Sequence, residues 1–176
     1  ILSLKYSIYI LLRMEIFIML SKAEIKYFNE CASEILSSEK VQLMRTFPHH
    51  GNVSCLEHSL SVAYYSYLLC KKLHLSVDIQ SVIRGALLHD FFLYDWHYKG
   101  DRKGLHGFTH PREALKNATL FFQINEKETD IILKHMWPLT VKPPRYKEAF
   151  IVCLLDKFCC LVETLKIHSL LSPYHV

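Results

Sequence analysis

From Ser21 onward, apolar side chains recur every three or four positions, the spacing that lines one face of an α-helix. "SKAEIKYFNECASEIL" opens with a capping box, Ser21 with Glu24, and repeats Ile25, Phe28, Ala32 and Ile35. "SCLEHSLSVAYYSYLLCKKL" opens with another, Ser54 with Glu57, and carries Leu56, Leu60, Ala63, Tyr67 and Cys70 on one face. A third helix follows Ser76, runs through Ile79, Val82, Ile83, Ala86 and Leu87, and reaches His89. The next stretch, "FFLYDWHYKGDRKGLHGFTH", reads as a long loop. It ends at His110, before Pro111, a residue suited to the first position of a helix that continues to about Phe122. Asn125 with Glu128 caps a short helix ending near Met136, "WPLTVKPPR" is a proline-rich loop, and a last helix spans about Tyr146 to Lys166. No alternating strand pattern and no internal repeat is visible. The expected fold is all-α, a single-domain helical bundle.

Composition narrows the class. The chain has 176 residues, enough for one core, with 51% hydrophobic and 22% charged positions, which is globular. Its five glycines form neither a dinucleotide-binding fingerprint nor a P-loop. The net charge of +4 is spread along the chain, with one small cluster at Lys99, Arg102 and Lys103, so no nucleic-acid polymer is expected as a partner. Six cysteines contain no C-x-x-C pair and sit in apolar runs, which suits a reducing, cytoplasmic setting. The first twenty residues are apolar but interrupted by Lys5, Arg13 and Glu15. They match neither a membrane span nor a signal peptide. Residues 1–20 are therefore expected to be an extension or a start-site artefact, and residues 21–176 the domain.

Chemistry enters with eleven histidines. His74, His97, His106, His168 and His175 lie among polar or terminal residues and read as surface. His58, one turn into its helix, stands apart, as do His89 and Asp90 at a helix end, His110 beside Pro111, and His135 closing a short helix. Asp156 lies inside "FIVCLLDKFCCLV", where a carboxylate must be paired or bound to a metal to offset its desolvation. A distant arginine such as Arg84 could be that partner. Lys157 could not, because adjacent helical residues do not face each other. Singly, each histidine could be a hydrogen-bonded core residue. As a set, imidazoles and carboxylates are what divalent metals require.

His58, the His89-Asp90 doublet and Asp156, in that order, resemble the H…HD…D signature of the HD-domain superfamily of metal-dependent phosphohydrolases, over about residues 50–165. The resemblance implies a helical fold and one metal held by His58, His89, Asp90 and Asp156. His110 and His135 resemble the extra pair of two-metal members, with Asp90 bridging to the second ion. Fe or Mn is favoured, and Co, Ni, Zn or Mg would also fit. Leu93 stands where the H-D-I-G-K subgroup has lysine, which argues against cyclic-dinucleotide phosphodiesterases.

Two divalent ions lower the pKa of water and offset charge on phosphoryl oxygens, so no serine nucleophile is needed. Asp90, Arg112, Lys157 and His50 are the candidate catalytic groups: Arg112 and Lys157 as phosphate contacts, His50 for proton handling. Lys134 and Arg145 are further cations. Phe91, Phe92, Tyr94, Trp96 and Trp137 could stack a base or simply form core. The favoured function is hydrolysis of a phosphoester or phosphoanhydride in a nucleotide or other small phosphorylated metabolite. A di-iron oxygenase and a non-catalytic helical module are the alternatives, and the chain could form a homodimer.

Overall fold

The computed structural model describes residues 20–49, 52–98 and 104–165. Among these the chain is helical, and its only β feature is an isolated bridge between Pro48 and Ser54. The helices are α1 (Lys22–Leu36), α2 (Glu39–Gln42), α3 (Cys55–Lys72), α4 (Ile79–Leu88), α5 (His106–Phe121), α6 (Glu126–Lys134) and α7 (Lys147–Thr164), with a 3-10 turn at Leu43–Thr46 after α2. The apolar residues 1–19 lie outside the described residues, whereas Leu20 is buried at the edge of the core.

The starts of α1, α3 and α6 follow from local chemistry. Ser21–Glu24, Ser54–Glu57 and Asn125–Glu128 each form the reciprocal capping box expected of them, satisfying donors that the first turn would otherwise leave unpaired. The third helix begins later than Ser76, because Asp78 caps it by accepting from the Ser81 amide.

α4 is the hub. It packs against α1, α3, α6 and α7, and every residue from Ser81 to Leu88 is buried. A helix apolar on all sides belongs in the middle of a bundle. Gly85 lets α6 approach, since a Cβ there would lie 2.6 Å from the Ile131 Cδ1 atom. Arg84 is the polar exception and is fully engaged. It donates to Glu34, to Glu128 at 2.8 Å and to the Gln123 carbonyl at 3.1 Å. It is therefore not the partner of Asp156.

The segment after Asp90 departs from expectation. α5 begins at His106, with Leu105 as N-cap, so the loop is shorter than the pattern suggests and Pro111 lies inside the helix. Proline there deprives the Gly107 carbonyl of its helical donor. The first turn holds regardless, because the His110 ring bonds back to the His106 carbonyl at 2.8 Å and stacks on the His106 ring at 4.4 Å. Pairing between positions four apart outweighs the proline rule at this helix start.

Candidate metal centre

Three of the candidate histidines are aimed by the same device. His89 and His135 are the C-cap residues of α4 and α6, where the last carbonyls lack helical donors. The His89 Nδ1–H donates to the Ala86 carbonyl at 2.7 Å, and the His135 Nδ1–H to the Ile132 carbonyl at 2.8 Å. His110 does the same with the His106 carbonyl from within α5. Once Nδ1 is committed as a donor, the neutral ring presents an Nε2 lone pair. Packing of α4 against α6 and of α5 against α6 brings these Nε2 atoms together.

His110 Nε2 and His135 Nε2 are 2.7 Å apart, and both face Asp90 Oδ1, at 3.3 and 3.6 Å. Two lone pairs at that separation repel unless a cation or a proton lies between them. Asp90 Oδ1 and His89 Nε2 are buried with no hydrogen-bond partner. On the other side of the same carboxylate, Asp90 Oδ2 lies 3.5 Å from His89 Nε2. Across α3 and α7, His58 Nε2 is 3.1 Å from Asp156 Oδ1, which is 3.5 Å from His89 Nε2. The donor atoms of His58, His89 and Asp156 form one group that could hold a metal ion, and those of His89, Asp90 and His135 form another. All six predicted ligands are thus buried in one cluster. Its orphaned nitrogen and oxygen donors fit divalent ions.

The electrostatics give the same account. Burial opposes ionisation of Asp90 and Asp156, yet both are held well below the usual carboxylate range, Asp90 by His89, His110 and His49, and Asp156 by His58 and His89. Burial likewise opposes protonation of His58, but hydrogen bonds to Asp156 and Glu163 pull it up to about 10, and His89 is raised by Asp90 and Asp156. His135 is pushed down to about 3 by burial and by His110 and His89.

Two residues that the sequence did not mark belong to this cluster. Glu163, buried on α7, accepts from His58 Nδ1 at 2.9 Å and lies 3.3 Å from His49 Nδ1. Although burial opposes it, its carboxylate is brought down to about 2 by His49 and His58. A carboxylate holding the far nitrogen of a ligating histidine is a recurrent feature of metal sites. His49 is buried, stacks on His58 with ring centroids 3.7 Å apart, and places Nε2 3.2 Å from Asp90 Oδ2. The neighbouring His50, the expected proton-handling group, lies outside the described residues.

The candidate substrate contacts are placed less uniformly. Lys157 is half-exposed at the rim. Its Nζ donates to the His135 carbonyl at 2.6 Å and comes within 3.9 Å of Asp156 Oδ2. A long side chain curling back along the helix makes this loose pair despite the adjacent positions. Arg112 is exposed on α5, with no bond to a candidate ligand among the described residues. Phe91 packs on Phe121 and Phe122, and Trp137 on Phe150. Phe92, by contrast, meets His110 edge-on, and Trp96 stacks on His106 at 5.2 Å. His106, read from its polar neighbours as a surface residue, is therefore part of an aromatic column that leads to His110. A surface groove of about 780 Å³, lined by residues that include Glu34, Arg84, Phe121 and Gln123, shares no residue with the cluster. Its arginine is already engaged by Glu34, Glu128 and the Gln123 carbonyl.

The family model described as HD domain matches residues 55–160, a stretch that contains all six predicted ligands but neither His49 nor Glu163. No curated protein and no solved structure matches the chain. No helix among the described residues is long and apolar enough to cross a membrane. With the match covering more than half of its residues, and with the histidine–aspartate cluster in place, the chain belongs to the HD domain family, which binds divalent metals and consists mostly of hydrolases.

Proposed function

We propose that this protein is a two-metal hydrolase that cleaves a phosphoester or phosphoanhydride bond of a small phosphorylated metabolite, with a nucleotide as the preferred class. The observation that carries the reading is the placement of Asp90. One of its oxygens faces His110 and His135, and the other faces His89, so a single buried carboxylate joins two sets of nitrogen donors. In this reading His58, His89, Asp90 and Asp156 hold one ion, and Asp90, His110 and His135 hold the other. Fe or Mn is favoured. Bound divalent ions would supply Lewis acidity, lowering the pKa of water and offsetting charge on the phosphoryl group.

The chain's own residues do the rest. The backbone-tethered Nδ1 atoms keep three rings in place without reorganisation, which is the preorganisation that such catalysis needs. Lys157, at the rim and held among the described residues by carbonyl and thiol contacts besides its loose pair with Asp156, can turn its ammonium to a phosphate oxygen.

The test is phosphate release from nucleoside polyphosphates and from a generic phosphate ester by protein reconstituted with Mn or Fe, compared with Asp90→Ala. Metal-dependent release by the native protein, abolished together with metal retention in the variant, is expected. Turnover that requires iron and dioxygen without phosphate release would refute hydrolysis in favour of oxygenase chemistry. Full turnover by Asp90→Ala would refute the ligand assignment.

A further inference from the structure

We propose that the centre extends beyond its six motif residues: His49 and the Cys160 thiolate join His58 and Asp156, making this side of the centre a site for a thiophilic divalent ion such as zinc, cobalt or ferrous iron. The inference rests on the reading of the cluster as a metal centre.

Cys160 lies one turn after Asp156 on α7, on the face that carries Asp156 and Glu163. Its Sγ is 3.6 Å from Asp156 Oδ1, the oxygen that also meets His58 Nε2 at 3.1 Å. Metal–sulfur bonds of about 2.3 Å and metal–oxygen bonds of about 2.0–2.1 Å place tetrahedral sulfur and oxygen ligands roughly 3.5–3.6 Å apart, so the 3.6 Å between Cys160 and Asp156 suits a shared ion. One donor atom each from His49, His58 and Cys160 lie within 4.8 Å of one another, a metal-compatible group distinct from those containing His89. Independently, His89 Nε2, fully buried and without a partner, lies 3.5 Å from the same Asp156 oxygen. That unspent lone pair points to a cation beside Asp156.

His49 is held in the same manner as His58. Both offer Nδ1 to Glu163 and their rings are stacked within 16° of parallel, which leaves His58 Nε2 3.1 Å from Asp156 Oδ1 and His49 Nε2 3.2 Å from the neighbouring Asp90 Oδ2. Glu163 thereby orients two nitrogens at once. A thiolate added to imidazoles and carboxylates makes this side of the centre soft enough to discriminate against magnesium, whereas the His110–His135–Asp90 side is a pure nitrogen–oxygen site.

The experiment is titration of the reduced, metal-free full chain with Co(II) under nitrogen, followed by absorption spectroscopy. The wild type and Cys31→Ser, which lies away from the centre, should show both visible d–d bands and an intense near-ultraviolet sulfur-to-cobalt charge-transfer band. Cys160→Ser should keep the visible bands and lose the charge-transfer band. His49→Ala should keep the charge-transfer band and weaken cobalt binding by more than the ~10–100-fold typical of an outer-shell change. Visible bands without charge transfer in the wild type, or charge transfer that persists in Cys160→Ser, would overturn thiolate ligation while leaving the metal centre intact. Unchanged affinity in His49→Ala would overturn that residue's part. The absence of any cobalt band would overturn the centre itself. Should Cys160→Ser not fold, alkylation of the native protein decides: Cys160 should be protected by cobalt, and equal labelling with and without the metal would overturn its ligation.

Discussion

Replacing Glu163 with glutamine changes one atom of the buried carboxylate and tests whether it orients the histidines. In the native chain its oxygens lie 2.9 and 3.0 Å from His58 Nδ1 and 3.3 Å from His49 Nδ1. Both nitrogens can therefore donate to a full negative charge. The glutamine amide has one accepting oxygen and one donating nitrogen. If the oxygen keeps the closer His58 contact, the amide NH₂ faces His49 Nδ1 and forces that nitrogen to accept. The His49 proton then moves to Nε2, which points at Asp90 and can no longer offer a lone pair. His58 keeps its tautomer but loses the charge that raises its basicity. Loss of such an outer partner lowers metal affinity about 10–100-fold, or roughly 1.4–2.7 kcal/mol. The assay is competitive titration of metal-free protein with Co(II) or Zn(II) against a chromophoric chelator, with His58→Ala as the reference for a lost ligand. Glu163→Gln should fall between the wild type and His58→Ala. If Glu163→Gln bound metal as tightly as the wild type while His58→Ala lost binding, Glu163 would be a plain structural acid and the orientation argument would be wrong.

Metal loading at pH 7 should release protons, because His58 in the metal-free protein is protonated up to about 10 and the ion displaces that proton. A pH-stat recording no acid release on saturation would contradict this. His135→Ala should retain fewer metal ions per chain than the wild type by elemental analysis, since it removes a donor from the His110 side alone; an unchanged count would mean that His135 is not a ligand. Gly85→Ala should destabilise the fold by about 1–3 kcal/mol, since its Cβ would fall 2.6 Å from Ile131 Cδ1. A denaturation midpoint equal to the wild type would show that α4 and α6 separate freely. Glu148, whose carboxyl is kept below the usual 4.5, against the pull of burial, by the Asp78 amide and Lys127, contributes stability that is present above pH 4.5 and lost as the pH falls below it. The stability gap between the wild type and Glu148→Gln should therefore be open at pH 7 and narrow under acid. A pH-independent gap would exclude a charge effect.

The centre was legible in the sequence wherever its chemistry conflicts with local context. Asp156 stands out because a carboxylate in an apolar helix needs compensation, and His89-Asp90 because a buried helix ends there. The capping boxes were legible because they are reciprocal contacts over three residues and need no tertiary information. What the sequence did not disclose was of two kinds. Glu163 and Cys160 lie seven and four residues after Asp156, on the same helical face, so periodicity contained the signal. An acid near a helix end and a cysteine in an apolar run nevertheless have ordinary local explanations. His49 had no such signal, since a loop has no period. The start of α5 was misplaced for a related reason: a proline rule acts on one residue, whereas the ring pair His106–His110 acts across a turn.

The sequence alone determined the helical class and most helix boundaries and singled out six candidate metal-ligating side chains, because periodicity, capping and donor chemistry are local properties. Only the tertiary structure decided that those six meet, that Asp90 lies between two donor sets, and that Glu163 and His49 belong with them. These facts depend on how α3, α4, α5, α6 and α7 pack. That packing is set by close approaches such as Gly85 against Ile131, between residues far apart along the chain.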